Sequence, residues 1–299
     1  MTGRITQSMT ARMLLADLHT VAERLSATQQ RIASGKMINV PSDDPFGTSR
    51  ALQLRSDLEE NRQYQRNVDE SSAWQDVTDT ALGQIGDFAL RARDLVVQAA
   101  SDTSGPAGRA AIASEIDQLV QAVKGEANAQ YAGRYVLAGT KTTAQPYSQS
   151  NDAYAGDAST VTREIGKAVQ VGINVPGSAV VGSWNGTTGT GLIGVLRTVQ
   201  NDLQAGNTTA LGNDLQALDA AHDALVAARA QSGALTNRLD AAKSRLGQIE
   251  GTTTKLLSDT EDADMAKTLV DYSTQQAVYQ AALKAGAQLI QPSLLDYLH

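Results

Sequence analysis

Residues 31–58 read RIASGKMINVPSDDPFGTSRALQLRSDL, and this stretch sets the course of the chain on both sides of it. Before Gly35 apolar residues recur at heptad spacing. Gly35 has no Cβ to clash and suits the left-handed position that closes a helix. Pro41 forces Val40 to be extended, so no helix crosses this point. Asp44 is placed to cap a new helix, its carboxylate accepting free amide protons, and Pro45 fits the first helical turn. The expectation is a fixed corner between two long helices.

Upstream, residues 5–34 form one periodic run. Leu14, Leu18, Val21, Leu25, Thr28 and Ile32 alternate four and three apart, which is the spacing of a coiled-coil seam. Downstream, residues 45 to about 102 read as a long helix with Trp74, Thr78, Ala81, Ile85, Phe88, Ala92, Leu95 and Ala99 on one side. Ser104-Gly105-Pro106-Ala107-Gly108 breaks it. A further helix, with Ile112, Ile116, Leu119 and Val123 on one face, runs to about Gln130.

From Tyr135 to about Gly191 helical periodicity vanishes and Gly and Thr rise. Ile165, Val169, Val171, Ile173 and Val175 alternate with polar or small residues and read as one half-buried strand ended by Pro176-Gly177. Helix returns near Leu192. Leu211, Leu215, Leu218 and Leu225 share a face, and Leu235, Leu239, Ala242, Leu246, Ile249, Thr253 and Leu256 continue four-three. The phase then jumps. It restarts at Met265 and runs through Leu269, Tyr272, Gln276, Tyr279, Leu283, Gly286 and Ile290, with Ser258-x-x-Glu261 as the expected capping box. Both terminal seams span roughly 45 Å at 1.5 Å per residue, and antiparallel pairing of the two is the simplest packing.

The fold class expected is mainly α with a small β insertion. Five segments are expected: 1–44 as an N-terminal coiled-coil segment pairing with 258–299, 45–134 and 192–257 as the two halves of a helical bundle, and 135–191 as an inserted antiparallel β domain. Hydrophobic residues make up 41% of the 299 residues but aromatic residues only 4%, which suits packed helices better than an aromatic-lined pocket. The net charge of −7 without a basic run argues against nucleic-acid binding, which needs a basic face to displace counterions. The absence of cysteine excludes disulfides and thiolate metal sites. No apolar run approaches the ~20 residues of a membrane span. Met13-Leu14-Leu15-Ala16 is too short for a signal-peptide core and is interrupted by Asp17, so another export machine is expected if the protein works outside the cell.

Local motifs for chemistry are weak. Gly189-Thr190-Gly191-Leu192-Ile193-Gly194 matches G-x-G-x-x-G but follows turn composition, where a dinucleotide site needs a buried strand. Asp43-Asp44 and Glu261-Asp262-Ala263-Asp264 are acidic clusters at predicted helix starts, where the helix dipole favours carboxylates, and capping is preferred over cation binding. His19, His222 and His299 have no ligand spacing. No enzyme, no metal and no cofactor are expected.

The opening stretch also resembles a known family. Ser34-Gly35-Lys36, Ile38-Asn39 and Pro41-Ser42-Asp43-Asp44-Pro45 are similar to the N-terminal signature of the flagellin superfamily, and most of all to its hook–filament junction proteins. Gly3-Arg4-Ile5-Thr6, Arg50-Ala51-Leu52, Gln63-Tyr64-Gln65-Arg66-Asn67, Gly133-Arg134-Tyr135 through Thr140, Gln145-Pro146-Tyr147, Glu261 through Ala266 and Ser293 through Leu298 extend the resemblance. It departs at Leu137, where an aromatic is usual. The β domain from about 148 to 190 carries none of it.

The resemblance implies a structural role in the bacterial flagellum, joining the hook, through the first hook-associated protein, to the flagellin filament. The partners it implies are the first hook-associated protein, flagellin, a ring of like subunits, and a cytoplasmic export chaperone at the C-terminal helices, with no nucleic acid and no membrane. It implies an extracellular location reached through the flagellar type III apparatus. Leu14, Leu18, Val21, Leu25, Ile32, Met265, Leu269, Tyr272, Tyr279, Leu283 and Ile290 are the assembly residues inferred from periodicity. Gly35, Asn39, Pro41, Asp43, Asp44 and Pro45 form the family-motif loop. Flagellin itself is the alternative, and a secreted coiled-coil adhesin or effector a more distant one.

Overall fold

A computed structural model describes residues 7–101 and 105–290. Its elements run α1 (Gln7–Ser34), α2 (Pro45–Ala99), α3 (Pro106–Ala127), β1 (Gln130–Tyr131), β2 (Arg134–Tyr135), β3 (Thr162–Gly166), β4 (Val169–Gly172), α4 (Gly177–Val180), β5 (Ser183–Trp184), β6 (Gly189–Thr190), α5 (Gly191–Ala205), α6 (Leu211–Glu261) and α7 (Met265–Ile290). The fold is mainly α with a small β insertion, as the patterning predicts. The chain divides into two compact units, residues 61–249 and residues 1–60 with 250–299, so that α2 and α6 each contribute to both.

The unit formed by residues 61–249 holds the buried apolar core. The four-three pattern of α2 places Trp74, Ala81, Ile85, Ala92, Leu95 and Ala99 inside, because i, i+3, i+4 positions share one helix face. They meet Ile116 and Val120 of α3, Leu192 and Leu196 of α5, and Leu218 and Leu225 of α6. Here α2 and α6 run antiparallel: Ser232 hydrogen-bonds Gln75 at 2.5 Å, and Arg229 and Arg93 pair with Asp79 and Asp219 at 2.9 and 2.6 Å. A smaller cluster gathers Val68 of α2, Leu239 and Leu246 of α6, and Ile165 and Val171 of the β insertion.

The β insertion is three separate two-stranded ladders. The expected single strand from Ile165 to Val175 is instead a hairpin. β3 and β4 are antiparallel with Glu164 opposite Gln170, and the chain turns at Lys167-Ala168, where Ala168 has φ +59°. Period-two alternation marks which side chains go inward, and two strands of one hairpin sharing a buried face give the same pattern as one longer strand. After β4, Pro176-Gly177 starts the single turn α4 rather than ending a strand.

The G-x-G-x-x-G stretch has a packing explanation. A Cβ on Gly182 or Gly194 would stand 1.7 Å from the Thr190 carbonyl oxygen or 2.5 Å from the Gly189 carbonyl carbon. These glycines let β5 and β6 lie against the start of α5, and no strand–loop–helix phosphate cradle is built.

Two charged side chains of α3 and α5 reach the insertion. Lys124, 3% exposed, pairs with Asp152 at 3.0 Å, and Arg197 pairs with Asp152 at 2.7 Å and Asp117 at 2.5 Å. Burial pushes the Asp152 carboxyl up, but the hydrogen bonds and charges of Arg197 and Lys124 outweigh it and hold the group below the usual carboxylate range. A buried carboxylate between two cations ties the irregular 149–152 segment to the helices, where apolar burial alone would leave it free to shift.

Candidate assembly interface

The second unit is built from α1, residues 45–60 of α2, residues 250–261 of α6, and α7. The corner at 35–48 follows the sequence reading closely. Gly35 has φ +69°, and its amide donates to the Arg31 carbonyl at 2.9 Å, closing α1. The Asp43 carboxylate accepts the amides of Asn39 and Val40 at 3.0 and 3.1 Å, and those bonds hold its carboxyl below the usual range. The Asn39 side chain donates to the Lys36 carbonyl at 3.1 Å. Asp44 caps α2, accepting from the Gly47 amide at 2.9 Å, with Pro45 as the first helical residue. Gly47 escaped the sequence reading: a Cβ there would lie 2.5 Å from Asp44 Oδ2 and 2.6 Å from Ile38 Cδ1. The Asp44 and Ile38 side chains close over Gly47 so tightly that any larger residue there must push them aside.

This corner is fastened to the other end of the chain. The Met37 amide donates to the Glu261 carbonyl at 2.7 Å and the Ala263 amide to the Gly35 carbonyl at 2.9 Å, an antiparallel bridge between Lys36 and Asp262. The Glu261 carboxylate is 8% exposed and accepts from Lys36 Nζ at 2.7 Å and from the Arg55 guanidinium. Glu261 therefore does not act in the expected capping box. It is the last residue of α6, and α7 is capped by Asp264, which accepts the Lys267 amide at 3.1 Å. Both Glu and Asp are acceptors at a helix start, so sequence spacing alone does not choose between them, whereas the backbone bridge fixes where α6 stops.

α1 and α7 are antiparallel: Thr28 hydrogen-bonds the Gln275 side chain at 2.8 Å, while a Cβ on Gly286 would stand 2.8 Å from Leu14 Cδ2. On α1, Leu14, Leu18, Val21, Leu25 and Ile32 are all half-buried and Thr28 is buried, the seam that heptad spacing predicts. On α7 the face toward α1 is Thr268, Tyr272, Gln275, Tyr279, Ala282 and Gly286. It keeps Tyr272, Tyr279 and Gly286 of the expected set but excludes Met265, Leu269 and Leu283, which are exposed. α7 is apolar over so much of its circumference that two four-three phases fit it. The buried phase is the one whose Gly and Thr let the helices approach. The Ile290 side chain, Gly3–Thr6 and Ser293–Leu298 lie outside the described residues.

The unit thus leaves large apolar side chains on its surface. Leu15 is 63% exposed and Met13 55% on α1; Val270 is 64% and Leu269 52% on α7; at the corner Phe46 reaches 91%. Scattered exposed leucines are ordinary, whereas a contiguous exposed apolar patch marks a protein-binding surface. Among the described residues no three His, Cys, Asp or Glu cluster as a metal site, and no helix is long and apolar enough to cross a membrane.

Comparison with known proteins agrees with this architecture. Residues 5–142 match the bacterial flagellin N-terminal helical region and residues 215–298 the bacterial flagellin C-terminal helical region. The chain is 27% identical over 283 residues to flagellar hook-associated protein 3 of Escherichia coli (strain K12), covering 86% of this chain and 87% of that one. It is 27% identical to the flagellin of Bacillus subtilis (strain 168), covering 92% and 93%. The crystal structure of the flagellar junction protein FlgL from Legionella pneumophila superposes with a TM-score of 0.57 at 14% identity, over 70% of this chain and 100% of that one, and so shows the shared fold. With both terminal helical regions matched and its helices paired as described, the chain belongs to the flagellin family and is a structural component of the bacterial flagellum.

Proposed function

We propose that this chain joins the flagellar hook to the flagellin filament. The observation that carries the proposal is the terminal helix pair: α1 and α7 are zipped together at the 35–37/261–263 bridge and leave an apolar surface outward, as a subunit that packs among others requires. The similarity to flagellar hook-associated protein 3 over 86% of the chain favours the junction among flagellar positions. The first hook-associated protein lies on one side, flagellin on the other, and like subunits form a ring between them. Residues 1–44 and 258–299 act as the assembly segment, 45–134 and 192–257 as the supporting bundle, and 135–191 as the variable insertion. Export runs through the flagellar type III apparatus, with a chaperone on the C-terminal helices before secretion. The chain works by packing and carries out no catalysis.

Deletion of the gene tests this reading. Electron microscopy is expected to show bare hooks while flagellin monomers accumulate in the medium. Filaments attached as in the parent strain would overturn it. A second reading, flagellin itself, is favoured by the equal identity to the Bacillus subtilis protein over a slightly larger share of the chain. In that case the deletion leaves no flagellin anywhere, and the purified chain polymerises by itself.

A further inference from the structure

The β5–β6 hairpin carries the one Asn-Gly step in the sequence, Asn185-Gly186. Ser183 pairs with Thr190 and Trp184 with Gly189, and the Asn185 amide donates to the Thr188 carbonyl at 3.1 Å, so residues 185–188 form the turn. Within it the Asn185 side chain is held at both atoms. Its Oδ1 accepts the Thr187 and Thr188 amides at 3.0 and 2.9 Å, and its Nδ2 donates to Thr188 Oγ1 at 3.1 Å. Asn185 and Gly186 are both exposed. Gly186 has φ +99°, and nothing lies within 4 Å of the place a Cβ would occupy.

This arrangement sets a nucleophile beside an electrophile. The Gly186 nitrogen follows the Asn185 carbonyl along the chain and has no side chain to shield it, so it reaches the side-chain carbon Cγ by closing a five-membered ring. The turn also suits the product. A carboxylate is a stronger acceptor of backbone amides than an amide oxygen. Thr188 Oγ1, now the acceptor from Nδ2, has a proton of its own to donate. Aspartate at 185 therefore keeps every hydrogen bond of the turn. Residues 168–196 hold no charged side chain, so the new carboxylate meets no like charge from its own stretch of chain.

We propose that Asn185 is a site of spontaneous deamidation and that the turn directs the product to aspartate. The Gly186 nitrogen loses its proton to solvent hydroxide and attacks Cγ. The N–Cγ bond forms, the Cγ–Nδ2 bond breaks, and Nδ2 takes a proton from water and leaves as ammonia, giving a succinimide. Water then opens the ring. Attack at Cγ breaks the new N–Cγ bond and leaves aspartate. Attack at the backbone carbonyl carbon breaks the original peptide bond and leaves isoaspartate, whose main chain is longer by one carbon. The net change is one water consumed and one ammonia released. Donors aimed at a carbonyl oxygen favour addition at its carbon, and the Thr187 and Thr188 amides are aimed at the oxygen on Cγ. The longer isoaspartate chain cannot keep both the Trp184–Gly189 pair and the 185–188 bond. Loss of ammonia makes the step irreversible, so the exposed hairpin gains negative charge as the subunit ages.

The test uses the purified full-length chain at physiological temperature and mildly alkaline pH, with a second sample unfolded in guanidinium. The tryptic peptide 168–197 is followed by mass spectrometry for a gain of about one mass unit, and its aspartate and isoaspartate forms are separated against synthetic standards. Asn174 lies in the same peptide as an internal comparison, followed by Val175 and fixed by hydrogen bonds to Val161 and Ser159. Asn185 is expected to convert ahead of Asn174. The ratio of aspartate to isoaspartate is expected to be at least about fivefold higher in the native sample than in the unfolded one, the discrimination that a single hydrogen bond supplies. No gain at Asn185 in the native sample, or the same ratio in both samples, would each overturn the proposal. Asn185→Asp checks the fit of the product separately. It is expected to keep the parent midpoint in urea, and a lowered midpoint would show that the turn rejects the carboxylate.

Discussion

Glu261 concentrates the argument at the scale of a residue. Its carboxylate is buried between Lys36 and Arg55 while its carbonyl accepts the Met37 amide, so one residue ends α6 and anchors the corner. Glu261→Ala leaves two cations that are themselves half-exposed and able to hydrate. The expected loss is therefore about 1–2 kcal/mol, below the range for a fully buried pair, read as a lower midpoint in urea. Asp214 behaves differently. It is buried in the first turn of α6 with Oδ2 unpartnered, and desolvation, with a smaller push from Asp202, raises its pKa to about 6. A raised carboxyl binds its proton more tightly when folded. Its cost is absent below the unfolded value near 4, grows as pH rises toward 6, and is complete above that. Asp214→Asn is accordingly expected to stabilise the protein by ~2 kcal/mol at pH 7–8 and by nothing measurable at pH 4. Equal gains at both pH values would refute the assignment.

The relevant elements are α1 and α7. Their seam contains half-buried leucines and a buried Thr28 but, among the described residues, no fully buried large apolar side chain from either helix. Helices held by so little burial open readily. Amide exchange in dilute protein is expected to be fast over residues 12–34 and slow over 74–99 of α2, where Trp74, Leu82, Ile85 and Val96 are sealed in the core. Similar protection in both stretches would show that the pair is stable alone. Gly286→Val places a branched side chain against Leu14. It is expected to weaken the pair by about 1–3 kcal/mol, seen as faster exchange in α1 with the α2 core unchanged.

For the molecule as a whole, the buried clusters and most of the large exposed apolar side chains fall in different units. The unit of residues 61–249 owns both buried clusters and the Lys124–Asp152–Arg197 network. Lys124→Met removes one cation from a buried group and is expected to cost about 3 kcal/mol at pH 7, measured on the main calorimetric transition. The depressed Asp152 pKa fixes the sign of the pH dependence. The stability it brings is full above the unfolded carboxylate value near 4 and is lost as pH falls through the lower folded value, so the wild-type advantage over Lys124→Met shrinks only at strongly acid pH. The large exposed apolar side chains on α1, α7 and the corner fall in the other unit.

The sequence by itself determined the long helices and the corner between α1 and α2. Gly35, Pro41, Asp44 and Pro45 act through local sterics and capping, which depend on neighbours a few residues away, and the structure has them as expected. The four-three runs of α1, α2 and α6 likewise followed from helix periodicity, and the family from short motifs. Tertiary structure alone decided which of two apolar phases of α7 faces α1, that Ile165 and Val171 sit on two strands of one hairpin, and that Glu261 is an anchor while Asp264 is the cap. In each of these the local pattern admits two solutions of similar energy. The choice between them is made by distant groups: Lys36 and Arg55 meet Glu261 across more than two hundred positions, Leu239 and Leu246 of α6 cover Ile165 and Val171 of the hairpin, and Gly286 lies against the Leu14 side chain.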